Sequence, residues 1–270
     1  MEYLSSLISK WMPENSKVAV DSHPRLSGIM DTVNSTLGHG PKTRLPPAFY
    51  DPKAHDIIDK IGVEEWFSGF KESNEYRIVG IGALAGDIVA RMVGSVEMSG
   101  NDGLLEVGGG SGRAGKGRGD ETDLKFSMSG CHDTTLASLL SSLGCFEGRS
   151  WPPYTSHVAF ELFKKAGAMR ESVNGDKLDE PATARKAYQQ NQNPLKVLFG
   201  SGGKTKLATE GMGRKLTGEL TPTEKEKLDG HYVRMRYNDE PVIVPGCRQP
   251  GKHLEGDESF CTLVCGSQPA

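Results

Sequence analysis

"LKFSMSGCHDTTLASLLSSLG", residues 124 to 144, decides the reading of the fold. Leu124, Phe126 and Met128 alternate with polar residues, as a strand with one buried face does. Leu136, Leu139, Leu140 and Leu143 then recur at helical spacing, and Gly144 supplies the stop. Strand, turn and helix in that order make the building unit of an α/β fold. The turn carries Cys131, His132 and Asp133, and local chemistry leaves two readings open. Asp133 can be a helix N-cap that accepts an amide of the next turn, with His132 packed at the strand end. Alternatively His132 donates to an anion bound at the helix N-terminus, where free amides and the helix dipole favour negative charge. The adjacent carboxyl would then protonate a leaving group.

Working outward, "KVAV", residues 17 to 20, reads as a short strand. Leu26, Ile29, Met30, Val33 and Leu37 follow on one helical face, with Pro24 near the first turn and Gly38 as the stop, so Arg25 is expected in that first turn. Residues 52 to 93 carry helical signals throughout: Ile57, Ile58 and Ile61, then Trp66, Phe67 and Phe70, then Leu84, Ile88 and Met92. Residues 95 to 122 are too rich in glycine for a packed element and read as a flexible loop. "HVAFELF" from His157 is a second buried-strand candidate. "HYVRMRY" and "PVIVP", joined across Asn238, Asp239 and Glu240, read as a closing β-hairpin. Residues 165 to 215 are polar and interrupted, as in a surface insertion.

A chain of 270 residues can bury a sizeable core. Its net charge of −3 argues against nucleic acid or an anionic membrane as a general partner. No run is expected to approach the ~18 apolar residues that a membrane span needs. The opening "MEYLSSLISKWMPENSK" has no basic region before its apolar stretch and no small-residue cleavage site after it, so no export signal is expected. The five cysteines, Cys131, Cys145, Cys247, Cys261 and Cys265, lack the paired spacing of a zinc site. Three of them fall in the last 24 residues, which permits a local clip there.

Two glycine-rich segments imitate a phosphate-binding loop. "GSGRAGK", residues 110 to 116, has the glycine and lysine spacing, but Gly117 stands where a magnesium-binding Ser or Thr belongs. Gly203, Lys204 and Thr205 follow an apolar run, but Leu198 occupies the position of the first glycine. Both are better read as loops, and nucleotide binding is not expected.

The blocks "MSGCHDTTLASLLSSLG", "WPPYTSHVAFEL" and "HYVRMRYNDEPVIVPGC", with Cys261 downstream, resemble in order and spacing the second half of the histidine acid phosphatases. This is the branch of the histidine phosphatase superfamily that includes acid phosphatases and phytases. Upstream, "VAVDSHPRLSGIMDT" resembles the family segment that carries a phosphate-binding arginine, which maps to Arg25. The resemblance implies an α/β fold: a three-layer, doubly wound, mainly parallel sheet of the phosphoglycerate-mutase type with an inserted helical cap. On that plan residues 1–44 are part of the catalytic domain, 45–95 the cap, 96–122 a flexible loop, and 123–270 the rest of the catalytic domain with the insertion 165–215.

The family chemistry is hydrolysis of a small phosphomonoester at acidic pH without a metal or cofactor. A histidine in an Arg-His-Gly-x-Arg-x-Pro motif attacks phosphorus, and water then hydrolyses the phosphohistidine, so that two easier steps replace one hard one. By resemblance Arg25 and His132 bind the phosphate, for which a guanidinium offers paired planar donors. Asp133 would protonate the leaving alcohol, and Cys247 with Cys261 corresponds to a family disulfide.

The nucleophile motif departs from this pattern. It should precede Arg25, and residues 1–24 contain no Arg-His-Gly. "GHGPKTRLP", residues 38 to 46, offers His39, Gly40, Arg44 and Pro46, but it follows the Arg25 segment. Gly38 also stands where the first arginine belongs, and Arg44 is one residue too far along. It reads as a helix stop and a turn. The chain is therefore expected to begin inside the catalytic domain. Two readings stay open: a truncated acid phosphatase, or a phosphatase-like protein without catalysis that binds a phosphorylated ligand.

Overall fold

Residues 1–40, 44–97, 125–166 and 212–266 are described by a computed structural model of the chain. Helix α1 spans Glu2–Ile8 and buries Leu4 and Ile8. Helix α2, Leu26–Gly38, buries Leu26, Ile29, Met30 and Val33 of the expected face, while Leu37, its fifth member in the last turn, is 45% exposed. Arg25 is one step outside it, in an extended cap conformation (φ −61°, ψ 155°) and not in the first turn.

Helix α3, Pro52–Glu72, starts where the Asp51 carboxylate accepts the Ala54 N–H at 2.8 Å, followed by a proline that has no N–H to leave unpaired. Ser73 caps the short α4, Asn74–Arg77, by accepting the Tyr76 N–H at 3.1 Å. A π turn, Ile78–Gly82, then leads into α5, Ala83–Glu97. The stretch Asn74–Glu97 is long and apolar enough, by length and composition, to cross a membrane. This corrects the expectation that no run approaches that length: glycines and the ion pair of the buried Asp87 with Arg91 (3.0 Å) interrupt a stretch that is apolar on average. Helix α6, Asp133–Ser142, buries Ala137, Leu139 and Leu140, and Gly144 closes it with a φ of +70° that a side chain would disfavour. Helix α7, Pro222–Leu228, begins with a capping box between Thr221 and Glu224, and α8 spans Leu263–Gly266.

Five strands form one sheet: β1 Val158–Lys164, β2 His231–Tyr237, β3 Glu240–Val242, β4 His253–Leu254 and β5 Asp257–Thr262. The order is β1-β2-β5-β4, with β3 also on β2. The expected hairpin forms, with Met235 opposite Val242 and a turn in which Asn238 and Asp239 take positive φ of 48° and 67°. Val233, Met235 and Tyr237 of β2 point into the core. On the other face, the Arg234 guanidinium lies 5.0 Å from the Phe163 ring and 4.9 Å from Phe260, and its Nε donates to Glu161 at 2.7 Å.

Helices combined with a sheet agree with the expected α/β class, but the expected mainly parallel order is not what the described residues form. Each pairing among them is antiparallel. Two segments expected as strands are not strands. At residues 17–20 the Val18 N–H donates to the Ser5 hydroxyl at 3.0 Å and the chain turns at once. Residues 125–132 have no regular structure, with Phe126 77% and Met128 84% exposed, while Leu124 lies outside the described residues. Alternating side chains make a strand only where a neighbouring backbone takes up the ladder hydrogen bonds, and the described residues offer none there.

Three apolar clusters hold these elements together. One joins Val63, Phe67 and Phe70 of α3 to Leu139 and Leu140 of α6, to Phe146, and to Met235 and Tyr237 of β2. Residues 45–95, expected as a helical cap, thus share a core with α6 and the sheet. A second cluster packs α1 on α2 and the start of α3, where Gly62 lets the Met30 sulfur approach to 3.0 Å of the space a Cβ would fill. The third gathers Val93 of α5 with Met212, Leu228, Val233 and Leu263. Met212 belongs to the expected surface insertion 165–215, and at this end the segment joins the core; residues 167–211 lie outside the described residues. So do most of the glycine-rich loop and both phosphate-loop look-alikes.

Cys247 and Cys261 form a disulfide, 14 residues apart with Cα atoms at 5.3 Å, which ties the turn Pro245–Cys247 to β5. Cys131 is free and exposed. Cys145 is free and buried, and its burial pushes the thiol up to about 11 against the opposing pull of Arg149 and Arg248.

Candidate active site

Asp133 opens α6, and both of its carboxylate oxygens are engaged. Oδ1 accepts the Thr134 N–H and Oδ2 accepts the indole Nε1–H of Trp151, each at 2.7 Å. The N-cap is His132, whose carbonyl receives the Thr135 and Leu136 amides at 3.0 and 3.3 Å and whose side chain makes no cap bond. Asp133 is therefore not the cap, and its carboxyl is turned to a cleft instead.

That cleft, about 690 Å³, lies between α2, α3, the start of α6 and residues 150–154. Trp66, Trp151 and Tyr154 give it flat apolar walls. Asp31, Asp56, Asp59 and Asp133 give it carboxylates, and among the described residues no lysine or arginine lines it. Asp56 pairs with Lys60 at 2.8 Å, an exposed pair that neutralises little. On its own this cleft disfavours a dianion by simple charge repulsion. Its walls suit the organic part of a molecule: hydroxyls can donate to the carboxylates, and a ring or chain can lie on the aromatic faces.

Trp151 links the cleft to the core. Pro152 after it favours an extended backbone, and the backbone N–H of Trp151 donates to Asp59 Oδ1 of α3 at 3.0 Å. Its ring packs on Phe67 at 5.1 Å and edge-on to Trp66 at 6.0 Å. Sequence reasoning missed both Trp151 and Asp59. The available signals were a tryptophan directly before Pro152 and Pro153, and the spacing of His55, Asp56 and Asp59, which puts them within one turn of α3.

Of the three expected site residues, Asp133 lines the cleft and the other two do not. His132 is exposed beside it. Arg25 stands next to Ser27 and Gly28, which do line the cleft, but its guanidinium pairs with Glu65 at 2.8 Å with the side chain 60% exposed. His39, set aside as a nucleophile, follows the end of α2 and is exposed. No group of three or more His, Cys, Asp or Glu among the described residues is placed to hold a metal ion.

Comparison with known proteins gives this geometry a context. The family model described as histidine phosphatase superfamily (branch 2) matches residues 56–189, a span that contains Asp59, Asp133 and Trp151 and leaves out Arg25. A protein of Schizosaccharomyces pombe named "Probable acid phosphatase" is 28% identical over 259 residues, covering 96% of this chain and 47% of the relative. The chain thus spans about half the length of the curated relative it matches. No solved structure matches. The likeness to the probable acid phosphatase runs across nearly the whole chain, and the span that resembles the histidine phosphatase superfamily (branch 2) encloses the one expected site residue that faces the cleft.

Proposed function

We propose that these residues form the leaving-group side of a phosphomonoesterase site of the acid phosphatase kind, acting on a small phosphorylated substrate. The observation that carries the reading is Asp133, which stands at the N-terminus of α6 with its carboxyl on the cleft, inside the family span. In this reading Asp133 gives its proton to the ester oxygen as the bond to phosphorus breaks, so that the product leaves as an alcohol. The cleft takes the organic part of the substrate. Arg25 and His132 take the phosphate, Arg25, whose side chain is 60% exposed, by exchanging the Glu65 carboxylate for phosphate oxygens. A parallel, three-layer catalytic sheet with residues 45–95 as its cap is part of the same proposal.

Attack on phosphorus needs a nucleophile, and none of the 270 residues belongs to an Arg-His-Gly sequence. Turnover in this reading therefore requires that motif from outside these residues. That no lysine or arginine lines the cleft among the described residues favours a second reading, in which the chain binds a phosphorylated ligand without turning it over.

The test uses the chain joined to an upstream segment that carries Arg-His-Gly-x-Arg-x-Pro. Asp133→Asn should slow hydrolysis of an alkyl phosphate by roughly 10²- to 10⁴-fold and that of p-nitrophenyl phosphate far less, because an activated phenol leaves without a proton. Equal losses on both substrates would rule out the proton-donor role. Arg25→Ala should weaken vanadate binding, and unchanged binding removes Arg25 from the site. Phosphate protection of the 270-residue chain against heat, with no turnover in the joined form, would support the binding reading.

A further inference from the structure

We propose that Trp151 is the positioning residue of Asp133: its indole N–H fastens the carboxyl to α3 and so sets where a proton can be delivered into the cleft. The proposal rests on the reading of Asp133 as the proton donor.

A carboxyl in the first turn of a helix is ordinarily free to rotate. The bond from Thr134, its immediate neighbour, links it only to its own helix. Trp151 is different, because the indole reaches Asp133 from 18 residues away and is itself fixed from several sides. Its backbone N–H is bound by Asp59 of α3 at 3.0 Å. Its ring rests on Phe67, which is 1% exposed, and meets Trp66 edge-on. Pro152 restricts the backbone that carries it. An indole has one donor and no acceptor, so this contact uses its whole polar capacity. At 2.7 Å the contact has the length of a charge-assisted bond.

The result is a rigid path from α3 through Asp59 and Trp151 to Asp133. General-acid catalysis needs the proton within hydrogen-bond reach of the leaving oxygen, and a displacement of about 1 Å can cost on the order of 10²-fold in rate. The helix that forms one wall of the cleft also holds the acid. Leaving group and proton donor are thereby kept in register by one element.

The decisive test needs no turnover and uses the 270-residue chain. Three-bond NMR couplings about χ1 of Asp133 should report one staggered rotamer in the wild type. In Trp151→Phe, which keeps a ring on Phe67 but has no N–H, they should shift toward the average of three rotamers. Unchanged couplings would overturn the proposal. If Trp151→Phe does not fold, the indole resonance of Trp151 is compared in the wild type and Asp133→Ala. It should move upfield when the carboxylate is lost while that of Trp11 stays in place, and a Trp151 signal that does not move would equally overturn it.

Kinetics on the joined, active form then separate the two claims. Trp151→Phe should lower kcat on an alkyl phosphate by roughly 10- to 100-fold more than on p-nitrophenyl phosphate, repeating the pattern of Asp133→Asn in weaker form. If Asp133→Asn shows the leaving-group dependence and Trp151→Phe does not, the positioning role fails and the proton donor stands. If neither shows it, the proton-donor reading itself fails.

Discussion

Replacing Phe67 by alanine should destabilise the protein by about 4–5 kcal/mol. The ring is 1% exposed and lies between Phe146, at 5.5 Å and 75°, and Trp151, at 5.1 Å and 41°. A buried Phe→Ala change costs about 3–5 kcal/mol, and each aromatic pair adds about 0.5–1.5 kcal/mol beyond area. The upper part of the range applies because the void cannot easily close. Phe146 is itself 1% exposed, and Trp151 is fixed by Asp59, Asp133 and the prolines that follow it. At roughly 2–4 °C per kcal/mol for a chain of 150–250 residues, the melting temperature should fall by about 8–20 °C. The assay is urea unfolding followed by circular dichroism, with Phe67→Leu as the comparison. Leucine refills much of the volume and should cost about 1.5 kcal/mol. A loss below about 2 kcal/mol for the alanine variant would mean that α3 does not dock on α6 through this cluster, and the path from α3 to Asp133 would lose its footing.

Two further outcomes are expected. A hydrogen bond from Lys215, at 2.5 Å, holds the Glu224 carboxyl down to about 2, helped by the Thr221 backbone. A depressed folded-state value means that the stabilisation is complete above the ordinary 4.5 and is lost as pH falls from there toward 2. Glu224→Gln should accordingly melt earlier than wild type at pH 6 and together with it at pH 2, and a gap of the same size at both would contradict the ion pair. Iodoacetamide at pH 8 should label Cys131 well before Cys145, since a buried thiol held up to about 11 is thiolate only about one part in a thousand at that pH. Labelling of Cys145 first would contradict its burial.

What could be read from the sequence is what neighbouring residues decide among themselves. The stripe of Leu26, Ile29, Met30 and Val33 names its own buried face, and Gly144 marks the end of α6. Asn238 and Asp239 select the tight turn of the hairpin because both tolerate positive φ. Leu124, Phe126 and Met128 alternate as convincingly as β1 does, yet a strand also needs a partner, and the partner is not encoded in the segment itself. Strand direction is not legible for the same reason: Val158–Lys164 reads as a strand whichever way its neighbour runs. At the site, His132 and Asp133 were legible as a pair at a helix start. That only Asp133 faces the cleft, with Trp151 on its carboxyl, depends on where residues 150–154 return to α3, a matter of contacts 92 and 18 residues apart in sequence.

The Cys247–Cys261 bond closes a covalent ring around the β4–β5 hairpin, and β5 lies between β2 and β4 in the sheet. The turns inside that ring contain Gly251 and Gly256, both at positive φ, the kind of exposed bend that proteases favour. A cut there opens the ring without releasing anything: the segment from Asp257 onward remains covalently bound through Cys261 and stays seated in the sheet. Such a nicked protein would migrate as one species on a non-reducing gel and as two once the sulfurs are reduced.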